Sequence, residues 1–235
     1  MHHYRIYRTN KNLEAFFPHF INAIHYLSDD VANAYITGGE LILDIALLRS
    51  LNDYVADEMS EQAMRLINRD ESRHIAIDYH MVDYYTSPAY EERLKARPPR
   101  SMQDQAAAWR TFVHMLYHAQ PFFRDVFFVP MDRMDPTGKR LREAFKRMQL
   151  LGMKQTVMKR PFARFMRTLS DLFNHPVTGS LFGNAIARVG GVEPRFMARL
   201  YSDADLGRAR AMTYDELADE ALAVKLGTMP VSSSG

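Results

Sequence analysis

The chain is 235 residues long, with 47% hydrophobic and 25% charged residues and a formal net charge of +2. That balance suits one sizeable globular core, and so small a charge gives no ground for a nucleic-acid partner. With no cysteine, disulfides, iron–sulfur clusters and thiolate zinc sites are excluded. No stretch approaches the roughly 18–20 uninterrupted apolar residues of a membrane span. The opening Met1-His2-His3-Tyr4-Arg5 lacks the apolar core of a signal peptide. The expectation is a cytoplasmic protein without a transmembrane segment.

Helix signals dominate from the start. Leu13 to Leu27 is rich in aromatic and apolar residues and broken only by Pro18. Ser28, Asp29 and Asp30 offer capping chemistry for a second helix over about Val31 to Asn52. Gly38-Gly39 within it costs about 1 kcal/mol per glycine relative to alanine, unless a neighbour approaches closely there. A turn near Asp53–Asp57 leads to a third helix over about Glu58 to Tyr85, with Met64, Ile67, Ile75 and Val82 on a helical stripe. The Ile75-Ala76-Ile77 run suggests that this helix is largely buried.

Ser87-Pro88 ends that helix, and Ala96-Arg97-Pro98-Pro99-Arg100 makes a stiff connector. Further helices are expected over about Met102 to Ala119, stopped at Pro121, and over about Lys139 to Met158, restarted or kinked at Pro161. Gly179 to Gly191 has the composition of a loop with a short helix. Thr213-Tyr214-Asp215-Glu216 opens a last helix with a capping-box pattern, and Thr228 to Gly235 forms a disordered tail. No strand pattern competes, so the expected class is all-α.

Chemistry concentrates in Asp70-Glu71-Ser72-Arg73-His74 and in Glu40, an acid set among Leu41, Ile42 and Leu43. An acid is unexpected in such a run unless paired or metal-bound. Positions i and i+3 share nearly one helix face, so Glu71 and His74 can reach one metal ion. The turn near residue 54 lies about midway between Glu40 and Glu71, and an antiparallel hairpin puts both carboxylates at nearly one height. A lone Glu-x-x-His is a weak signal; this match in height strengthens it.

Glu40 with Asp70-Glu71-Ser72-Arg73-His74 resembles the C-terminal half-site of the ferritin-like di-iron carboxylate proteins. That superfamily includes arylamine N-oxygenases, acyl-carrier-protein desaturases and the ribonucleotide reductase small subunit. The Asp-Glu-x-Arg-His form is closest to the N-oxygenase-like members. The resemblance covers roughly residues 10–90. It implies a ferritin-like helical bundle, with Glu40, Glu71 and His74 as iron ligands and Asp70 and Arg73 supporting them. It also implies two iron ions or manganese, O₂ as co-substrate, and a small organic or acyl substrate that is hydroxylated, desaturated or N-oxidised.

The chain departs from that pattern in lacking an earlier Glu and Glu-x-x-His: Glu14 has no histidine three positions on. Three explanations stay open. His2 or His3 could end a motif that begins upstream, two chains could each supply a half-site across a dimer axis, or the site could be degenerate. The resulting division is 1–90 for the metal half-site helices, N-terminally incomplete under the first explanation, 101–227 for additional C-terminal helices packed on them, and 228–235 for the tail.

Other candidates carry blander readings. His114 and His118 stand at i, i+4 with no acid beside them except Asp125 beyond Pro121, so packing or surface roles are favoured over a metal. Asp44 reads as solvated or as support for Glu40. Asp78 and His80 lie where they could hydrogen-bond around the site. Between Lys139 and Arg167 ten basic residues meet only Glu143. That run is a solvated face or, in the alternative reading of the protein as a non-catalytic binding scaffold, a dock for an anionic partner such as an acidic carrier or redox protein. Iron storage in a symmetric oligomer is a third reading.

Overall fold

A computed structural model describes residues 9–229, so the expectations for His2 and His3 and for most of the tail fall outside the described residues. The described chain is all-α, with no strand. In order, α1 spans Lys11–Tyr26 and α2 spans Asp29–Leu41; α2 continues through a π-helical segment, Ile42–Leu48, into α3, Arg49–Tyr54. Next come α4 (Glu58–Thr86), α5 (Pro88–Ala96) and α6 (Met102–Phe123), which runs through a second π segment, Arg124–Phe128, into α7 (Val129–Met134). The remainder is α8 (Lys139–Gly152), a 3₁₀ turn at Val157–Lys159, α9 (Pro161–Asn174), α10 (Pro176–Val189), α11 (Pro194–Met197), α12 (Asp203–Ala211) and α13 (Tyr214–Leu226).

The ends follow local chemistry. Asn10, Asp57, Ser87, Ser101, Ser202 and Thr213 each accept a backbone N–H in the first turn of the helix that follows. Ser202–Asp205 and Thr213–Glu216 close full capping boxes. Gly227, at φ 77°, ends α13 in the left-handed conformation that favours glycine.

Several boundaries differ from the sequence expectation. Pro121 does not stop α6; the chain stays helical past it and widens into the π segment. Proline removes one N–H, and Phe122, Phe123, Phe127 and Phe128 pack closely enough on their neighbours to hold the helix through the defect. The helix expected to reach Met158 ends at Gly152. The loop with a short helix expected over Gly179–Gly191 is mostly the regular helix α10. Pro88 does end α4, and it also starts α5 as a first-turn proline.

The largest core joins Leu41 and Ile45 of the α2 rod, Ile75 and Tyr79 of α4, Leu150 and Leu151 of α8, and Leu217, Ala221 and Val224 of α13. A second core sets Ile42 and Ala46 against Phe128, Leu141, Phe145 and Phe196. A third zips α1 to α6 through Phe16, Ala23, Met115 and Ala119. Segments before and after residue 100 therefore share their cores. The α2 rod, Asp29–Tyr54, is long and apolar enough to cross a membrane by length and composition alone. Half of its apolar 18-residue stretch is buried inside the fold, and it carries the buried Asp44, as a core helix does.

The basic run is not one solvated face. Lys146 and Arg147 are buried: Lys146 pairs with Asp205 at 3.0 Å, and Arg147 with Glu143 at 2.9 Å and Glu220 at 2.6 Å. Arg140 pairs with Asp53 and Arg167 with Asp171, and Lys154 donates to the carbonyl of Met212. Apart from the Arg147–Glu143 and Arg167–Asp171 pairs, which lie within α8 and α9, these contacts join separate segments of the fold, while Lys139, Arg142, Lys159 and Arg164 stay exposed.

Candidate metal centre

Two elements build the site. The α2 rod carries Glu40 two residues before the π segment, and α4 packs along it carrying Glu71 and His74 one turn apart. One ligand atom from each of these three residues lies within 4.8 Å of the other two. His74 Nδ1 faces both carboxylates, at 2.6 Å from Glu71 Oε2 and 3.9 Å from Glu40 Oε2. The midway turn accounts for the match in height, and the π segment adds a local widening of the helix of a kind frequent at functional sites.

The electrostatics suit a cation. Glu40 Oε2 is buried and has no hydrogen-bond partner. Burial pushes the Glu40 carboxyl above the usual range, with His74 opposing and Glu71 adding to the rise. For His74, burial works downwards, but the hydrogen bond and charge of Glu71 and the charge of Glu40 outweigh it and raise the imidazole. Two carboxylates and one imidazole form a donor set that Fe(II) and Mn(II) accept. A divalent ion there would neutralise both acids and engage the orphaned oxygen, so the residues present fit the metal.

The supporting residues differ from those expected. Asp70 and Arg73 pair with each other at 3.1 Å, both 71% exposed, rather than with His74. On a helix each residue turns about 100°, so neighbours in sequence point to different sides. Asp44, read as solvated or as support for Glu40, is fully buried and pairs with Lys225 of α13 at 3.2 Å. Burial raises its carboxyl to about 6, Lys225 opposes, and Glu40 and Glu71 add a smaller rise. Asp78, one turn past His74, is also buried, and its Oδ2 has no hydrogen-bond partner. Burial lifts it to about 7, with Glu40 and Asp44 adding and His74 opposing. Lys225 was missed because nothing near it in sequence marks it as the partner of an acid on the second helix. The helix α4 is less buried than Ile75-Ala76-Ile77 suggested: Ile75 is in the core, but Ile77 is 56% exposed.

A cavity of about 280 Å³ opens along the same pair of helices. Asn33, Thr37 and Gly38 line it from α2, within two turns before Glu40, and Val82 and Tyr85 line it from α4, two to three turns past His74. Met148 of α8 and Phe162 and Met166 of α9 make much of the remaining apolar wall. Arg160 also lines it, and its Nε and Nη2 are buried without a hydrogen-bond partner. Comparison of the chain with protein-family models, with characterised proteins and with solved structures returns no match.

Proposed function

We propose that this protein is a carboxylate–histidine metalloprotein of the di-iron oxidase or oxygenase kind, and that this chain contributes Glu40, Glu71 and His74 to its centre. The observation that carries the reading is the convergence of three ligand atoms within 4.8 Å, one of them a buried oxygen without a hydrogen-bond partner. Iron, or manganese on the same donors, would supply activation of O₂ for oxidation of an organic substrate. Glu40 and Glu71 provide the negative charge that retains a divalent ion, and His74 offers Nδ1 as the neutral donor. Lys225 neutralises Asp44 one turn beyond Glu40, which keeps that acid out of the ligand set. Asp78, next along the seam towards the cavity, is placed to hold a proton close to the centre.

The cavity suits the substrate of this reaction. Its aromatic and methionine walls favour an apolar molecule of small or acyl type, and Arg160, which lies over the Tyr90 ring with Nε and Nη2 lacking hydrogen-bond partners, favours an anionic group on it. Exposed Ile36, Ile67 and Ile77 flank the ligand residues along α2 and α4. This apolar frame supports a reading in which further donors arrive on a surface packed against this face.

Anaerobic loading with Fe(II), followed by elemental analysis, tests the reading. About one iron per chain is expected, falling below about 0.2 in Glu71→Ala. Retention of iron in Glu71→Ala, or its absence from the unaltered protein, would reject the assignment.

A further inference from the structure

The α1–α6 seam carries a second group of ligand residues on different helices from the first. His19 projects from α1 and His114 and His118 from α6, spaced by one helical turn. The ring of His19 lies 4.9 Å from that of His114 and 5.0 Å from that of His118, centroid to centroid. One nitrogen from each of the three falls within 4.8 Å of the others. Sequence alone showed only the i, i+4 pair, because the third histidine comes from a helix far away in the chain. Asp125, the one acid considered for that pair, instead accepts from Asn12 at 2.6 Å.

We propose that His19, His114 and His118 form an imidazole-only site for a borderline divalent cation, Zn²⁺ in the first instance, that clasps α1 to α6. Three features support it. The helix seam is fixed independently of any metal: Phe16 stacks on Phe122 at 4.2 Å, and Met115 and Ala119 are fully buried beneath it. The histidines therefore stay together without being the cause of the packing. The cluster contains no carboxylate, so its three imidazole nitrogens favour Zn²⁺, Ni²⁺ or Cu²⁺ over the harder ions suited to the Glu40 site. Three histidines also leave a fourth tetrahedral position for water or an anion.

His19 and His118 now stack nearly parallel, at 8°. Metal binding turns one or both rings about their side-chain torsions. All three side chains keep enough solvent exposure to allow it.

The test uses untagged, full-length protein carrying Glu71→Ala and His74→Ala, which removes the other cluster. Calorimetric titration with ZnCl₂ in chelator-free buffer is expected to give about one site per chain. In the same background His19→Gln or His118→Gln should weaken it at least about 100-fold, because removing a ligand exceeds the 10–100-fold effect of outer contacts. His25→Gln, an exposed histidine of the same helix, should leave the affinity unchanged. Zinc should also raise the thermal midpoint, and that rise should vanish in His19→Gln. Far-UV circular dichroism confirms that each variant is folded. Absence of zinc uptake, or uptake unaffected by His19→Gln, overturns the proposal. Uptake lost only in His2→Ala/His3→Ala overturns it too, by placing the ion at the N-terminus.

Discussion

Asp44 and Asp78 are both buried acids one turn from a proposed ligand, and they are handled differently. Oxygens of both carboxyls are buried without a hydrogen-bond partner, but Asp44 has the Lys225 ammonium in an ion pair at 3.2 Å, and Asp78 has no such ion pair among the described residues. Asp78 titrates near 7 in the fold, against about 3.9 when unfolded. Its folded pKa is raised, so its protonated form favours the native state: that contribution is complete below about pH 4 and is lost as pH rises through 7. Urea unfolding of metal-free protein should therefore show stability falling between about pH 4 and 7 and levelling off above that. Asp78→Asn should flatten that slope by on the order of 1–2 kcal/mol. An unchanged slope would mean that water, not burial, governs this carboxyl. At this scale Glu40 was legible because an acid in an apolar run needs a reason. Asp70 and Arg73 misled because adjacency in sequence is not adjacency on a helix. Asp44 could not be read at all without the distant Lys225.

At the scale of the element, helix existence was legible and the meaning of glycine was not. Gly39 lies in α2 with nothing within 4 Å of where a Cβ would stand, so it brings only its entropic cost. Gly179, in the segment expected to be a loop, lies in α10 where a Cβ would come within 2.0 Å of the Phe173 carbonyl oxygen. One glycine is dispensable; the other lets α10 start against the end of α9. Composition treats them alike. Gly39→Ala should stabilise the protein by about 0.5–1 kcal/mol. Gly179→Ala should destabilise it by about 1–3 kcal/mol, through forced displacement of the helix pair. Denaturant midpoints of the two variants, measured together, check both signs. Equal effects would show that the close approach at Gly179 is absent in solution. The π segments after Glu40 and after Pro121 were invisible beforehand, since a widened turn is set by packing on both sides and not by local preference.

Across the whole molecule, the last helix reaches back to the second, and Lys225–Asp44 is where they meet in charge. Both groups are almost fully buried, at 2% and 0% side-chain exposure. A pair so placed is held by its mutual attraction against a large desolvation cost, so losing one partner should cost far more than losing both. Lys225→Met alone strands Asp44 beside Glu40 and should cost about 3–5 kcal/mol at pH 8. The loss should be smaller at pH 5, because without its cation Asp44 escapes the penalty by taking up a proton. Asp44→Leu/Lys225→Met replaces the pair with apolar groups and should recover most of the loss, to within about 1–2 kcal/mol of the unaltered protein. If the two single changes simply add, the ion pair is not what couples α13 to the α2 rod. The same cycle run with Fe(II) loading separates support from ligation. Lys225→Met should lower stability with or without metal, whereas a ligand change at Glu71 should act through the metal-bound state. The sequence could not suggest this coupling, because helices more than a hundred residues apart carry no mark of their pairing. Packing through Leu41, Ile45, Leu217 and Val224, together with Arg49 donating to the Val224 carbonyl, brings them together in the fold.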